Sequence, residues 1–208
     1  MTICYHTEIT QPWKDNELQE RLSLLPDSIK KPILSKRNHL DVQLSVQGNL
    51  LLLELIKYFS LDLKLTDLLY GEYQRPYFKS DFDFNISHSG NRVICCATLE
   101  GKVGIDIELM QPIAINQEDY FTPTEQANIR AAKDPDNEFF NYWTRKEAVL
   151  KAVGTGVYTP LLDIDVSTDE VSYKGLTYHL STIDIDPTYK GCLAHSVKRE
   201  ISVENILI

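Results

Sequence analysis

The segment Val103-Gly104-Ile105-Asp106-Ile107-Glu108 is the most informative part of the sequence. Apolar residues at the odd positions alternate with other residues at the even positions, which predicts a β-strand with one face packed against a core. The acids Asp106 and Glu108 then point to the same face of that strand. Two carboxylates therefore lie side by side, supported from behind by an apolar layer.

A second segment, Trp143-Thr144-Arg145-Lys146-Glu147-Ala148-Val149-Leu150-Lys151, predicts a helix. Glu147 and Lys151 are four residues apart and share a helix face, with Lys146 at its margin. Three carboxylates and two lysines suit a site in which oxygen ligands hold a hard divalent cation and amines bind phosphates. The alternatives are a solvated strand end and an exposed, salt-bridged helix surface.

A third motif lies upstream, Phe84-Asn85-Ile86-Ser87-His88-Ser89-Gly90. In order and spacing, the three motifs resemble the signatures of 4′-phosphopantetheinyl transferases of the monomeric, surfactin-synthetase-activating type. The resemblance extends from about residue 75 to residue 151. It implies an α+β fold of two similar halves related by pseudo-two-fold symmetry, residues 1–109 and 110–208, with the active site in the cleft between them.

The resemblance also implies an activity. The phosphopantetheine group of coenzyme A would pass to a serine of an apo acyl or peptidyl carrier protein, and adenosine 3′,5′-bisphosphate would leave. Mg²⁺, or alternatively Mn²⁺, would be held by Asp106, Glu108 and Glu147. Glu147 is either a third ligand or the general base, and the sequence does not choose between these roles. Lys151 would bind the pyrophosphate, and His88 would take part in phosphate binding and catalysis.

Basic and hydroxyl side chains around these motifs are candidates for binding coenzyme A. The set comprises Lys30, Lys31, Lys36, Arg37, Arg75, Ser87, His88, Lys146 and Lys151. Arg75 stands where the family usually has lysine. The sequence departs from the family at Leu44, where a basic residue is usual, so the 3′-phosphate would be bound by other basic side chains of this set.

Composition and charge restrict the function further. The chain has 208 residues, 43% of them apolar and 25% charged, which is typical of a globular protein. No apolar run approaches the ~20 residues of a membrane span, and the N-terminal sequence is not that of a signal peptide, so we expect a cytoplasmic protein without membrane contact. The four cysteines form no C-x-x-C pair, so neither a zinc site nor a disulfide framework is expected.

The net charge of −9 is unevenly distributed. Residues 1–104 carry 12 basic and 13 acidic side chains, whereas residues 105–208 carry 9 and 17. An acidic protein does not bind nucleic acid through its overall field, which argues against a metal-dependent nuclease. The other alternative is a catalytically inactive module that binds coenzyme A or a carrier protein, but the chain retains all three acids.

Residue patterns outside the motifs predict helices followed by strands, twice over, which is an α+β order. Glu100-Gly101 predicts a two-residue turn that joins strands 92–99 and 102–109 in a hairpin. The tail is predicted to contain five short strands, the first over residues 164–167. The apolar residues Met110, Pro112, Ile113 and Ile115 follow the acidic strand and form a candidate docking surface for the carrier protein; the alternative is that they pack one half against the other.

Overall fold

The computed structural model describes residues 1–113 and 119–208. Within these ranges the chain forms five α-helices and ten strands. The helices are α1 (Asp15–Ser23), α2 (Asp27–Leu34), α3 (His39–Tyr58), α4 (Pro123–Ala131) and α5 (Pro135–Val153). The strands are β1 (Thr2–Glu8), β2 (Leu69–Tyr70), β3 (Pro76–Tyr77), β4 (Asp83–Ser89), β5 (Arg92–Thr98), β6 (Val103–Leu109), β7 (Glu170–Tyr173), β8 (Leu176–Thr182), β9 (Tyr189–His195) and β10 (Ile201–Asn205).

The first sheet has the strand order β10-β1-β5-β4. The long helix α3 packs across it, and a run of leucines and valines on the helix is buried against the strands. Helices α1 and α2 pack on α3 and enlarge the same core. This half of the molecule ends at β4, which forms one edge of the sheet.

The second sheet has the order β6-β9-β8-β7, and α5 lies on β6 and β9. Gly104 allows this close packing, because a Cβ atom at that position would overlap the backbone of Ala148 and Ala152 in α5. Each half is thus a four-stranded sheet with one long helix packed on it. The predicted α+β fold with two similar halves is confirmed.

The predicted hairpin is wrong. Gly101 does turn the chain, with φ +79°, but β5 pairs with β1 and β4, whereas β6 pairs with β9 in the other sheet. The turn therefore passes the chain from one sheet to the other. Local sequence identified the turn but carried no information about which strand each partner would join.

The predicted strand at residues 164–167 is also wrong, because in the described structure these residues belong to neither sheet. Ile164 and Val166 alternate because both are buried in the second core. The backbone N–H of Val166 donates to Glu125 Oε1 (2.9 Å) instead of to a neighbouring strand. The other four strands predicted for the tail are present with shifted ends.

The predicted domain boundary at residue 109 stays a prediction. Strands on each side of it belong to the sheet of the other half. β6 precedes the boundary and pairs in the second sheet, and β10 follows it and pairs in parallel with β1 of the first sheet. The four cysteines are buried and free. None of the helices in the described ranges has the length and apolar character needed to span a bilayer.

Candidate active site

β4, at the edge of the first sheet, and β6, at the edge of the second, are joined by side-chain hydrogen bonds instead of backbone pairing. Every second residue of β4 accepts a backbone N–H from β6, an arrangement we call the side-chain ladder. Its rungs are Val103 N to Asp83 Oδ2 (2.8 Å), Ile105 N to Asn85 Oδ1 (3.0 Å), Ile107 N to Ser87 Oγ (3.3 Å) and Leu109 N to Ser89 Oγ (3.1 Å). The ladder joins the two halves and sets the motif of residues 84–90 beside the acids of β6.

Asp106 lies at the centre of the site and is 3% exposed. Its Oδ1 accepts hydrogen bonds from Lys151 Nζ (2.6 Å) and Ser87 Oγ (3.1 Å), and Lys151 Nζ also donates to Ser87 Oγ (2.9 Å). Its Oδ2 is buried and has no hydrogen-bond partner among the described residues. One residue from each of the three motifs therefore meets here, and one carboxylate oxygen remains available.

Glu108 is held by a hydroxyl. Ser89 Oγ donates to Glu108 Oε2 (2.6 Å), and the Trp143 side chain lines the same cavity. The sequence had identified neither Ser89 nor Trp143 as a functional residue. The available signal was spacing, because Ser87 and Ser89 are two residues apart, as are Asp106 and Glu108.

These groups line one cavity of about 350 Å³ between the two halves. Its walls comprise Ile86, Ser87 and His88 from β4, Asp106 and Glu108 from β6, and Trp143, Glu147 and Lys151 from α5. The predicted location of the active site, in the cleft between the halves, agrees with this arrangement. The Glu147 carboxylate has no hydrogen-bond partner in the described structure, unlike the carboxylates of the other two acids.

The three carboxylates share an electrostatic environment that disfavours their charge. Burial raises the pKa of Asp106 above its usual value, against the opposing effects of Lys151 and Ser87. Burial also raises the pKa of Glu108, with Ser89 opposing and Asp106 adding to the rise. For Glu147, burial and then the charge of Asp106 raise the pKa, while Lys151 opposes them. A cation in this cavity would relieve the repulsion.

The predicted metal ligands are only partly assembled. No group of three or more histidine, cysteine or acidic side chains among the described residues is arranged to hold a metal ion. Asp106, Glu108 and Glu147 nevertheless line the same cavity. Their oxygens are the donor type that Mg²⁺ and Mn²⁺ prefer, and Asp106 Oδ2 is a buried oxygen without a partner. The donor set therefore fits the ion in its chemistry, although the three carboxylates are not arranged around a common point.

Lys146 does not reach the cavity, which contradicts its predicted contact with coenzyme A. Its side chain is 0% exposed, and its Nζ pairs with Glu125 Oε2 (2.7 Å). The same amine donates to the backbone oxygens of Leu161 (2.9 Å) and Ile164. All three N–H donors of the ammonium are therefore used inside the second half.

Arg75 is likewise engaged with the protein instead of being free for phosphate. Its two terminal nitrogens bind both oxygens of Asp83 (2.9 and 2.8 Å). One of them also donates to the backbone oxygens of Phe84 (3.2 Å) and Val103 (2.8 Å). Arg75 and Asp83 thus clamp β4 to β6, and the predicted role of Arg75 near the adenine phosphates is not supported by these contacts.

The remaining basic candidates lie around the turn between α2 and α3. Lys30 pairs with Asp27 (2.9 Å), whereas Lys31, Lys36 and Arg37 are exposed. The positive charge of Lys36 acts on His88, a residue of the cavity wall. Desolvation and then Lys36 lower the pKa of that imidazole, with Asp41 opposing. Lys36 is the member of this group of basic residues whose charge affects the pKa of His88.

Comparison with known proteins finds sequence similarity over the part of the chain that contains the acids and Lys151 of the site. Residues 102–197 match the model of the 4′-phosphopantetheinyl transferase superfamily. The chain is 36% identical over 139 residues to a 4′-phosphopantetheinyl transferase of Bacillus subtilis, an alignment that covers 60% of this chain and 61% of the relative. It is 35% identical over 144 residues to 4′-phosphopantetheinyl transferase gsp of Aneurinibacillus migulanus, covering 66% and 60%.

A third relative is 4′-phosphopantetheinyl transferase Sfp of Bacillus subtilis strain 168, at 35% identity over 139 residues, covering 60% of this chain and 61% of that protein. The chain thus spans about three fifths of the length of the curated relatives it matches. Among solved structures, the holo-[acyl-carrier-protein] synthase of Thermotoga maritima gives a TM-score of 0.37 at 19% identity over 47% of this chain and 64% of that chain, a likeness too low to carry an argument. The segment from β6 to β9, which contributes the acids and the lysine of the site, is therefore similar in sequence to 4′-phosphopantetheinyl transferases.

Proposed function

We propose that this protein is a 4′-phosphopantetheinyl transferase of the Sfp-like type. It would transfer the 4′-phosphopantetheine group of coenzyme A to a serine of an apo acyl or peptidyl carrier protein. One observation carries the proposal: Ser87, Asp106 and Lys151, one from each of three distant motifs, lie within hydrogen-bond distance of one another at a single cavity.

The reaction exchanges one phosphorus–oxygen bond for another. The serine hydroxyl oxygen bonds to the β-phosphorus of coenzyme A, the bond from that phosphorus to the bridging oxygen breaks, and adenosine 3′,5′-bisphosphate leaves. The serine proton passes to a base. Such transfers depend chiefly on positioning and on neutralising phosphate charge.

Lys151 supplies positive charge at the cavity wall. Two of its N–H donors engage Asp106 and Ser87, which leaves the third for a pyrophosphate oxygen. Ser87 also fixes the amine, because its oxygen accepts one of those bonds. We therefore assign Lys151 to the pyrophosphate and Ser87 to the orientation of Lys151 and Asp106.

Asp106, Glu108 and Glu147 would hold Mg²⁺, or Mn²⁺, through carboxylate oxygens. When bound, the ion would neutralise the phosphate oxygens and hold the pyrophosphate in place. Asp106 supports this assignment because its buried Oδ2 has no protein partner in the described structure.

Glu147 keeps two candidate roles, ligand and general base. It is the acid of the three that no described side chain ties down, so it is free to accept the proton of the incoming serine. Glu147→Gln removes basicity but keeps an oxygen ligand. A loss of activity that high Mg²⁺ restores favours ligation, whereas a loss that Mg²⁺ does not restore favours proton abstraction.

Lys36 and His88 are the preferred contacts for the phosphates on the nucleotide side of coenzyme A, with Lys31 and Arg37 exposed nearby. Lys30 is the weaker candidate because it is already paired. The carrier protein would dock at the connector after β6. There, a cavity of about 280 Å³ is lined by Glu108 and Trp143 from the site together with apolar side chains that include Ile113 and Phe140. Ile115, which was also predicted to belong to the docking surface, lies outside the described residues.

The direct test is incubation of the protein with coenzyme A, Mg²⁺ and apo carrier proteins from fatty-acid, polyketide and nonribosomal-peptide systems. Intact mass should increase by one phosphopantetheinyl group on at least one carrier, and EDTA should abolish the gain. Binding of coenzyme A with no mass gain on any carrier would reject the enzyme in favour of an inactive binding module.

A further inference from the structure

Ser89 occupies the last rung of the side-chain ladder, and its hydroxyl both accepts and donates a hydrogen bond. The oxygen accepts the backbone N–H of Leu109 (3.1 Å), and the hydroxyl hydrogen goes to Glu108 Oε2 (2.6 Å). A hydroxyl has a single hydrogen, so these two contacts fix its orientation. The short distance is typical of a hydrogen bond to an ionised carboxylate.

Glu108 depends on this contact more than Asp106 depends on any one of its own. Asp106 is short and is held by both Lys151 and Ser87. Glu108 has a longer side chain at the cavity wall, beside residues 109–113, and its hydrogen-bond partner in the described structure is Ser89. Without the hydroxyl, the carboxylate would sample several rotamers.

We infer that Ser89 is a positioning residue that holds the Glu108 carboxylate in the orientation in which it binds the divalent cation. The inference rests on the proposed function in assigning Glu108 to that cation. Ser89 touches neither the ion nor the substrate in this role. Partners that orient a ligand in this way typically contribute 10- to 100-fold in metal affinity.

The ladder offers a matched control. Asn85 accepts the backbone N–H of Ile105 (3.0 Å) in the same way as Ser89 accepts that of Leu109, and no hydrogen bond joins it to an acid in the described structure. Asn85→Ala therefore removes a rung without releasing a carboxylate. Loss of a rung and loss of ligand orientation can thus be separated on the same strand.

The experiment uses the full chain and Mn²⁺ as the probe, with free Mn²⁺ measured by electron paramagnetic resonance, with and without coenzyme A. Ser89→Ala should weaken Mn²⁺ binding about 10-fold and raise the Mg²⁺ concentration for half-maximal transfer by a similar factor, with kcat at saturating Mg²⁺ little changed. Ser89→Thr, which keeps the hydroxyl, should restore binding. Asn85→Ala should lower the melting temperature but leave Mn²⁺ affinity within about twofold.

A double-mutant cycle that combines Ser89→Ala with Glu108→Ala makes the test independent of overall stability. If Ser89 acts through Glu108, Ser89→Ala should cost little further Mn²⁺ affinity once Glu108 is removed. Equal loss of Mn²⁺ affinity in Ser89→Ala and Asn85→Ala would overturn the inference, as would additivity in the cycle or a wild-type chain that binds no Mn²⁺. Should Ser89→Ala fail to fold, Ser89→Cys, which keeps the shape but donates weakly, replaces it. Ser89-dependent Mn²⁺ binding without transfer to any carrier would sustain the inference and reject the proposed function.

Discussion

Two lysines of α5, five residues apart, form ion pairs with opposite consequences. Lys146 is fully buried against Glu125, and its amine also donates hydrogen bonds to two backbone oxygens. Lys151 is paired with Asp106 at a cavity wall, with 27% of its side chain exposed. Five residues correspond to about 140° around a helix, so the two amines point to different sides.

The difference is one of completeness. Glu125 accepts from Lys146, from the N–H of Val166 and from the N–H of Thr122, and so has partners at both oxygens. Asp106 keeps one buried oxygen without a partner in the described residues. A pair whose hydrogen bonds are complete holds elements together, whereas a pair that remains incomplete can bind a ligand. Burial alone therefore does not identify a structural ion pair.

The largest expected effect comes from breaking the complete pair. Lys146→Met keeps most of the aliphatic stem but leaves the Glu125 charge buried and unpaired. The free energy of unfolding should fall by about 3–5 kcal/mol, measured by urea denaturation. Lys57→Met is the control, because Lys57 and its partner Glu54 are both exposed. An equal loss in both variants would contradict the structural role of Lys146.

Breaking the incomplete pair from its acidic side should affect catalysis more than folding. Asp106→Ala should lower kcat about 100-fold, the order of loss on removing one preorganised charged group. The dissociation constant for coenzyme A should change less, because the proposed phosphate contacts, Lys151 and the basic cluster of Lys30, Lys31, Lys36 and Arg37, would remain. Steady-state kinetics and calorimetric titration separate the two quantities. Near-normal kcat at ordinary Mg²⁺ would show that the site is wrongly assigned.

A third charged pair, Arg75 and Asp83, lies between these extremes and predicts a pH dependence. Burial alone would raise the pKa of Asp83, but Arg75, the N–H of Val103 and Lys102 outweigh it and hold the pKa below its usual value of 3.8. The folded state therefore favours the ionised form. Its contribution to stability is complete above the unfolded-state pKa and is lost as pH falls through the lower folded-state pKa.

Asp83→Asn should therefore reduce the free energy of unfolding by about 2 kcal/mol at pH 7. The difference from wild type should shrink below pH 4, where Asp83 of the wild type also becomes protonated. Urea denaturation at a series of pH values measures both. A difference that stays constant down to pH 2 would mean that the charge of Asp83 contributes nothing.

The smallest effect is expected at the connector. Ile113→Glu should raise KM for the carrier about fivefold, the size of one ordinary interface contact, with KM for coenzyme A unchanged. Gln111→Glu adds the same charge without removing an apolar side chain and serves as the control. Because Ile113 also packs against the second core, a large fall in melting temperature would show that it serves packing instead of docking. A steep loss of carrier affinity with salt would point to the basic cluster.

Much of the site could be predicted because its signals are local. Alternation placed Asp106 and Glu108 on one face of a strand, and four-residue spacing placed Glu147 and Lys151 on one face of a helix. The structure brings all four to one cavity. Their spacing in sequence was sufficient because each element is regular.

The errors arose where a residue's partner is distant in sequence. Lys146 lies at the margin of the helix face of Glu147, and only the position of Glu125, from another helix, shows that its amine turns inward. Arg75 has the charge expected of a phosphate ligand, but Asp83 neutralises it. The strands on either side of Gly101 looked like a hairpin because local sequence cannot show that β9 pairs with β6.

The shift in melting temperature caused by coenzyme A and Mg²⁺ tests the division between the two lysines most directly. A bound ligand raises stability in proportion to the logarithm of its concentration over its dissociation constant. Lys146→Met should melt well below wild type yet keep the full ligand-induced shift. Lys151→Met should melt closer to wild type and lose most of the shift. The opposite pattern, a lost shift in Lys146→Met and a full shift in Lys151→Met, would contradict the account.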